Sequence, residues 1–251
     1  MMTGRFKGTV ILLALIGLTA LSGSPVRAAQ DVYVLNTSTG APYANADRTG
    51  FQDQVVAEVF QRLGLKGRVE IYKASARALI NANNNVDQGV AMRVKGLDNK
   101  FPNLVRVEER LISNDFVAYS KDPDIKIVDW NSLEPYVATY IHGWLIFERN
   151  LVAGQRKHAV KQPDQMFIML DKGRVELVLY ERWQGLQRAR DTGVKVTVHE
   201  PPLASVDMYM YVHKDHAHLA PKMASTLRDM KADGSYQAIV DRTLTPLLPV
   251  N

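Results

Sequence analysis

The chain has 251 residues, 46% of them hydrophobic and 23% charged, which supports a buried core and excludes a disordered, collagenous or polytopic membrane protein. It has no cysteine, which removes disulfide frameworks, thiolate metal sites, thiol nucleophiles and a lipidated N-terminal cysteine. Of the formal charge of +5, Arg5, Lys7 and Arg27 supply three charges within the first 28 residues, which hold no acid, and the remaining +2 forms no basic block with interleaved aromatics, so no nucleic-acid partner is expected.

Arg5 and Lys7 precede the apolar run Thr9 to Leu21, shorter than the roughly 18–20 residues of a membrane span but of the length of a secretory signal core. Ser22-Gly23-Ser24-Pro25 breaks it, and Val26-Arg27-Ala28 places residues suited to signal peptidase, so residues 1–28 are expected to be a signal peptide cleaved after Ala28. The mature protein is then expected in the periplasm of a two-membraned host, without membrane insertion after cleavage.

Residues 32–35 (VYVL) predict a strand, followed by a turn-rich loop containing Ala41-Pro42-Tyr43. Thr49 and Gln52 have capping-box spacing for a helix whose apolar positions, Phe51, Val55, Val56, Val59, Phe60 and Leu63, recur until Gly64. Val69 to Tyr72 predicts a second strand, Ser75 caps a short helix through Ala82, and Gly89 to Val94 predicts a third strand. Leu104 to Val107 and Asp115 to Ser120 follow as strands. A second block opens near Lys121, with a strand over Tyr136 to Ile141 running into His142-Gly143-Trp144 and a helix carrying Leu145, Ile146 and Leu151. Pro163-Asp164 starts another helix, stopped at Gly173. Val175 to Tyr180 (VELVLY) is a nearly continuous apolar strand of the kind buried in a parallel sheet. Val194 to Val198 and Met208 to Val212 complete the strands, and two helices close the chain, with Leu219, Met223, Leu227 and Met230 on one face of the first. Strands alternating with helices predict parallel sheets with right-handed crossovers, whose ligands collect at the carboxyl ends of strands and between lobes.

Four stretches carry a family resemblance. They are Ala41-Pro42-Tyr43 with Thr49-Gly50-Phe51; Asn85-Val86-Asp87-Gln88-Gly89 before a strand; Met169-Leu170 with Gly173-Arg174-Val175-Glu176; and Val212-His213-Lys214-Asp215-His216 with Met230-Lys231-Ala232-Asp233-Gly234-Ser235-Tyr236 and Ile239. In that order, over residues 30–246, the chain resembles the bacterial extracellular solute-binding proteins of family 3, the polar-amino-acid class. The resemblance implies an α/β, two-lobed type II periplasmic-binding-protein-like fold, each lobe a mostly parallel sheet flanked by helices, joined by two crossover strands. It implies one lobe from residues 29–118 plus 208–251 and another from 119–207, hinged near Tyr119 and Asp207. The chain departs from the amino-acid-binding pattern after Gly89, where the usual Thr-x-x-Arg is replaced by Lys95 to Arg106 (KGLDNKFPNLVR) and an arginine stands earlier, at Arg93.

Five residues are candidate ligand contacts. Tyr43 falls where the resemblance implies an aromatic face on the ligand, though a loop tyrosine also serves as a lid on its own core. Arg93 offers a planar two-pronged donor for a carboxylate, against the alternative of a surface pair. Gly143 and Trp144 stand at a strand-to-helix turn whose free N–H groups can face an anion, Trp144 walling the site or packing on the sheet. The resemblance places an acid for a ligand ammonium at Glu181, otherwise a solvated helix-start carboxylate. Arg77 and His142 read as structural. His213, His216 and His218 read as a solvated turn and a helix start, so neither a metal nor another cofactor is expected. With no G-x-S-x-G elbow, H-E-x-x-H or P-loop, the chain is expected not to be an enzyme but a monomeric receptor. It would take a small polar ligand to an ABC transporter permease, or alternatively to a membrane sensor.

Overall fold

The computed structural model describes residues 1–4 and 32–248; the expected signal peptide and its cleavage point lie outside the described residues. The first strand, β1 (Val32–Thr37), lies parallel to β2 (Lys66–Ile71) on one side and to β3 (Gly89–Val94) on the other. Between β1 and β2 runs α1 (Phe51–Arg62), which buries Phe51, Val55, Val56, Val59 and Phe60 completely. Its start is set one residue later than the Thr49–Gln52 spacing predicts: Gly50 is the N-cap, and the Asp53 carboxylate accepts from the N–H groups of Gly50 and Asn45 at 3.0 and 2.8 Å. Next come α2 (Ser75–Asn83), between β2 and β3, and the short strand β4 (Leu104–Arg106).

The second half of the sheet is built from β6 (Ala138–Ile141), β7 (Lys157–Val160) and β8 (Leu177–Glu181), with β6 parallel to both neighbours. Helices α3 (Leu145–Asn150), α4 (Pro163–Asp171) and α5 (Arg182–Thr192) connect or follow these strands. All five residues of β8 are buried, as its apolar run requires. Strand β7 is absent from the sequence reading because Lys157, His158 and Ala159 are exposed; backbone pairing at the sheet margin holds it without an apolar pattern.

Two long strands, β5 (Ile112–Ser120) and β10 (Ala204–His213), join the halves. They pair antiparallel over Ile112–Phe116 and Ala204–Met208, after which β10 continues beside β3 and β4 while β5 continues beside β8 and the two-residue β9 (Thr197–Val198). The strand order is thus β2-β1-β3-β10-β5-β8-β6-β7, two mostly parallel α/β halves joined by a two-stranded ribbon. Helices α6 (Ala220–Ala232) and α7 (Ser235–Thr243) return to the first half, where Met223, Leu227, Met230 and Ile239 share a core with α1.

The ribbon places its side chains on two faces, because strand neighbours alternate and paired residues share a side. Asn114, Phe116, Val206 and Met208 line one. On the other, Asp115 accepts from Ser205 at 2.6 Å and pairs with Arg182, which also binds Glu200, while Asp207 accepts from Ser113 at 2.8 Å and from Arg110 at 3.3 Å.

Candidate functional site

The carboxyl ends of the parallel strands in both halves carry the polar groups that the helices leave unused. In the first half, Arg93 near the end of β3 donates to the hydroxyls of Ser38, just past β1, and Ser75, at the start of α2, both at 2.9 Å, and to the Met92 carbonyl at 3.2 Å. Ser75 therefore serves Arg93 rather than capping α2, whose N-cap is Ala74. Arg93 is half-buried and forms no ion pair among the described residues, and burial lowers its pKa. A desolvated guanidinium without a counter-ion favours negative charge nearby.

Tyr43 reaches from the loop after β1 to the second half. Its ring is fully buried, edge-on to Phe51, and its hydroxyl lies 2.9 Å from Glu181 Oε1 and 3.1 Å from Asn114 Oδ1. Glu181 ends β8, is itself fully buried, and N-caps α5 by accepting from the Gln184 N–H at 2.9 Å. Burial drives its pKa up from 4.5 to about 7, against the opposing hydrogen bonds from Gln184, Tyr43 and Trp183. Burial first, and then the neighbouring Glu181, raise the Tyr43 hydroxyl well above the usual phenol, so it stays protonated.

The Tyr43 loop is held in place by the start of α1, where the N–H groups of Phe51 and Gln52 donate to the carbonyls of Pro42 and Tyr43 at 3.1 and 2.6 Å. Gly50 permits this, since a Cβ there would sit 2.5 Å from the Tyr43 carbonyl oxygen. Gly50→Ala is expected to push the loop off the helix and lower stability by about 1–3 kcal/mol, read as a lower urea midpoint with an unchanged slope.

Gly143, with φ of +84°, donates its N–H to Glu148 Oε1 at 2.7 Å, so α3 covers this N–H with its own carboxylate. Trp144 stacks on Tyr180 at 4.6 Å between ring centroids and meets Phe116 edge-on. Thus Tyr43 and Glu181 are brought into direct contact and Trp144 abuts the ribbon. Arg93 stands apart on the first half, with no bond to Glu181.

A cavity of about 360 Å³ lies against the ribbon face that carries Asn114. Its walls are Phe116, Val206 and Met208 of the ribbon, Val94 beyond Arg93, and Leu145, Ile146, Arg149 and Asn150 of α3. It draws on both halves and has the size and mixed lining of a small-molecule site. A larger hollow of about 480 Å³, lined by Lys121, Asp122, Tyr136, Leu170 and Glu176 among others, touches only the second half. Asn114 is the site residue missed by the sequence reading. Its signal is Asn114-Asp115 inside a strand, two residue types that strands disfavour. Among the described residues, no group of three or more His, Cys, Asp or Glu is placed to hold a metal, and His213 is buried 3.4 Å from Asp215.

No family model matches the chain. An uncharacterized protein of Shewanella oneidensis is 28% identical over 156 residues, a stretch that spans 58% of this chain and 58% of that protein's length. Among solved structures, the substrate-binding protein of an amino acid ABC transporter aligns over 86% of this chain and 100% of its own, with a TM-score of 0.63 and 13% identity. The VFT2 domain of Bordetella pertussis BvgS aligns over 84% of this chain and 93% of its own, with a TM-score of 0.64 and 14% identity. At such identities the likeness shows the fold, and the fold is that of the two-lobed periplasmic solute-binding proteins. The transporter's substrate-binding protein is of the type the sequence resembles, and it is a ligand-binding protein rather than an enzyme.

Proposed function

We propose that the protein is an exported solute receptor that encloses a small polar ligand between its lobes and passes it to an ABC transporter. The observation that carries this reading is the cavity shared by both halves beside the crossover ribbon, with the unpaired Arg93 at the neighbouring carboxyl edge. The first lobe comprises residues 29–118 plus 208–251 and the second residues 119–207, and they rotate about the crossover strands near Tyr119 and Asp207. Differential contact of the ligand with both lobes is what favours closure. Removal of residues 1–28 frees the receptor into the periplasm; among the described residues no helix is long and apolar enough to cross a membrane.

Likeness to the BvgS domain supports a second reading, in which the same closure signals to a membrane sensor. A thermal-shift screen of amino acids, organic acids, polyamines and sugars tests the receptor reading, because a specific ligand raises apparent stability by mass action. Arg93 flanks the cavity beside Val94 rather than lining it, so with a ligand in hand Arg93→Ala is expected to weaken binding of an anion by roughly 0–1 kcal/mol in calorimetry, the range of a screened charge. A loss of about 2–5 kcal/mol in a folded variant would instead put Arg93 in direct contact with the ligand.

A further inference from the structure

Three features of the cleft bear on its ligand's chemistry once the cleft is taken as the binding site. The first is the state of Glu181, the acid that the resemblance implies for a ligand ammonium. Both of its oxygens are occupied by the protein, Oε1 by Tyr43 at 2.9 Å and Oε2 by the Gln184 N–H at 2.9 Å, and the side chain has no exposed surface. A ligand ammonium cannot reach the buried carboxyl without displacing Tyr43.

The second feature follows from counting protons. The Tyr43 hydroxyl has one proton and two oxygen neighbours, Glu181 Oε1 and Asn114 Oδ1. With the Asn114 amide oxygen facing Tyr43, both contacts are hydrogen bonds only when Glu181 carries a proton, donates it to the Tyr43 oxygen, and Tyr43 donates onward to Asn114. The groups facing Glu181 suit that state: Tyr43, Tyr119 and Tyr180 are neutral phenols raised by burial, Asp115 is a like charge, and Arg182 is engaged by Asp115 and Glu200. Asn114 lines the cavity, and with its oxygen facing Tyr43 its amide N–H groups have no protein acceptor among the described residues.

The third feature is the balance of charge and surface around the cavity. Arg149 is exposed on α3 and forms no hydrogen bond or ion pair among the described residues, and no Asp or Glu lines the cavity. Val94, Phe116, Leu145 and Ile146 supply apolar wall, with Val94 and Leu145 exposed by 44% and 52%. A cationic side chain and an amide beside a cavity without acidic lining favour an acceptor-bearing, preferably anionic, ligand over a cation, and the apolar wall favours an apolar body.

We propose that the cleft takes a small organic carboxylate with an apolar body and no ammonium group, its carboxylate held by the Asn114 amide and the Arg149 guanidinium. This rests on the receptor reading above and narrows it from polar solutes in general to acids that lack an α-amine.

Calorimetric titration with matched pairs tests it: 3-phenylpropionate against phenylalanine, and 4-methylpentanoate against leucine, with 3-phenylpropionamide as the uncharged control. At least one acid is expected to bind about tenfold or more tightly than its amino acid and its amide, the difference made by one charge-assisted hydrogen bond. Arg149→Gln, which removes no internal contact and leaves folding intact, and Asn114→Leu are each expected to weaken that acid by about tenfold or more. Equal or tighter binding of the amino acids overturns the ligand class while leaving the receptor reading in place. Acid binding untouched by both variants overturns the assigned contacts. Failure of these probes and of the whole solute screen overturns the receptor reading, and the ligand class with it.

Discussion

Glu181→Gln is expected to gain stability relative to the native chain as pH rises from 4.5 to above 7, by up to about 3 kcal/mol. Burial raises the folded-state pKa of Glu181 from 4.5 to about 7, so between those values the folded protein holds a proton that the unfolded chain releases. The stabilisation is fully present below pH 4.5 and is lost as pH rises through about 7, where a buried carboxylate must ionise. Each pKa unit corresponds to about 1.4 kcal/mol, which sets the upper figure. Glutamine keeps the shape, accepts from Gln184 and donates to Tyr43 at every pH. Urea unfolding of both proteins at pH 5 and pH 8 measures the effect, and taking the difference cancels the lowered His199 and His216, which titrate in both. Parallel stability curves would mean that Glu181 is ionised throughout and that the Tyr43 contact is an ordinary phenol-to-carboxylate hydrogen bond.

Tyr43→Ala is expected to cost about 3–5 kcal/mol, and Tyr43→Phe about 1–3 kcal/mol. The alanine variant empties a fully buried aromatic position beside Phe51, whereas the phenylalanine variant keeps the ring and removes the hydroxyl that serves Glu181 and Asn114. The phenylalanine cost is expected to be larger at pH 8 than at pH 5, because an ionised buried carboxylate loses more with its donor than a protonated one. Tyr43 comes from the first half and Glu181 from the second, so both variants are also expected to favour separation of the lobes, read as a larger radius of gyration in small-angle scattering. A cost that is equal at both pH values, with unchanged dimensions, would reduce Tyr43 to a packing residue.

The helices and most strands were legible because burial writes a period into the sequence. Strand β3 runs over Gly89–Val94 as its pattern predicts, and the buried face of α1 is the one its spacing gives. Strand β7 was not legible, since its residues Lys157, His158 and Ala159 face outward and only their backbone is paired. The start of β5 was hidden for a different reason. Ser113 and Asn114 look like a turn before a strand whose pattern opens at Asp115, yet the ribbon uses Asn114 on the cavity face and Ser113 and Asp115 for hydrogen bonds and ion pairs on the other.

At the site, residue types were readable and their partners were not. Glu181 stands at the strand end where an acid was expected, but its partnership with Tyr43 spans 138 residues of sequence, and no local pattern reports such a contact. The Gly143 turn shows the opposite case. Its N–H was read as free, while Glu148, five residues on, covers it, a contact that the spacing at the start of α3 could have suggested.

The most direct test of the receptor reading is a crystal structure of the protein grown with a solute that raises its melting temperature. Ligand density is expected between the β5–β10 ribbon and α3, touching Asn114 and Arg149, with the two halves closed around it. Density confined to the hollow between Lys121 and Glu176, with the shared cavity empty, would contradict it.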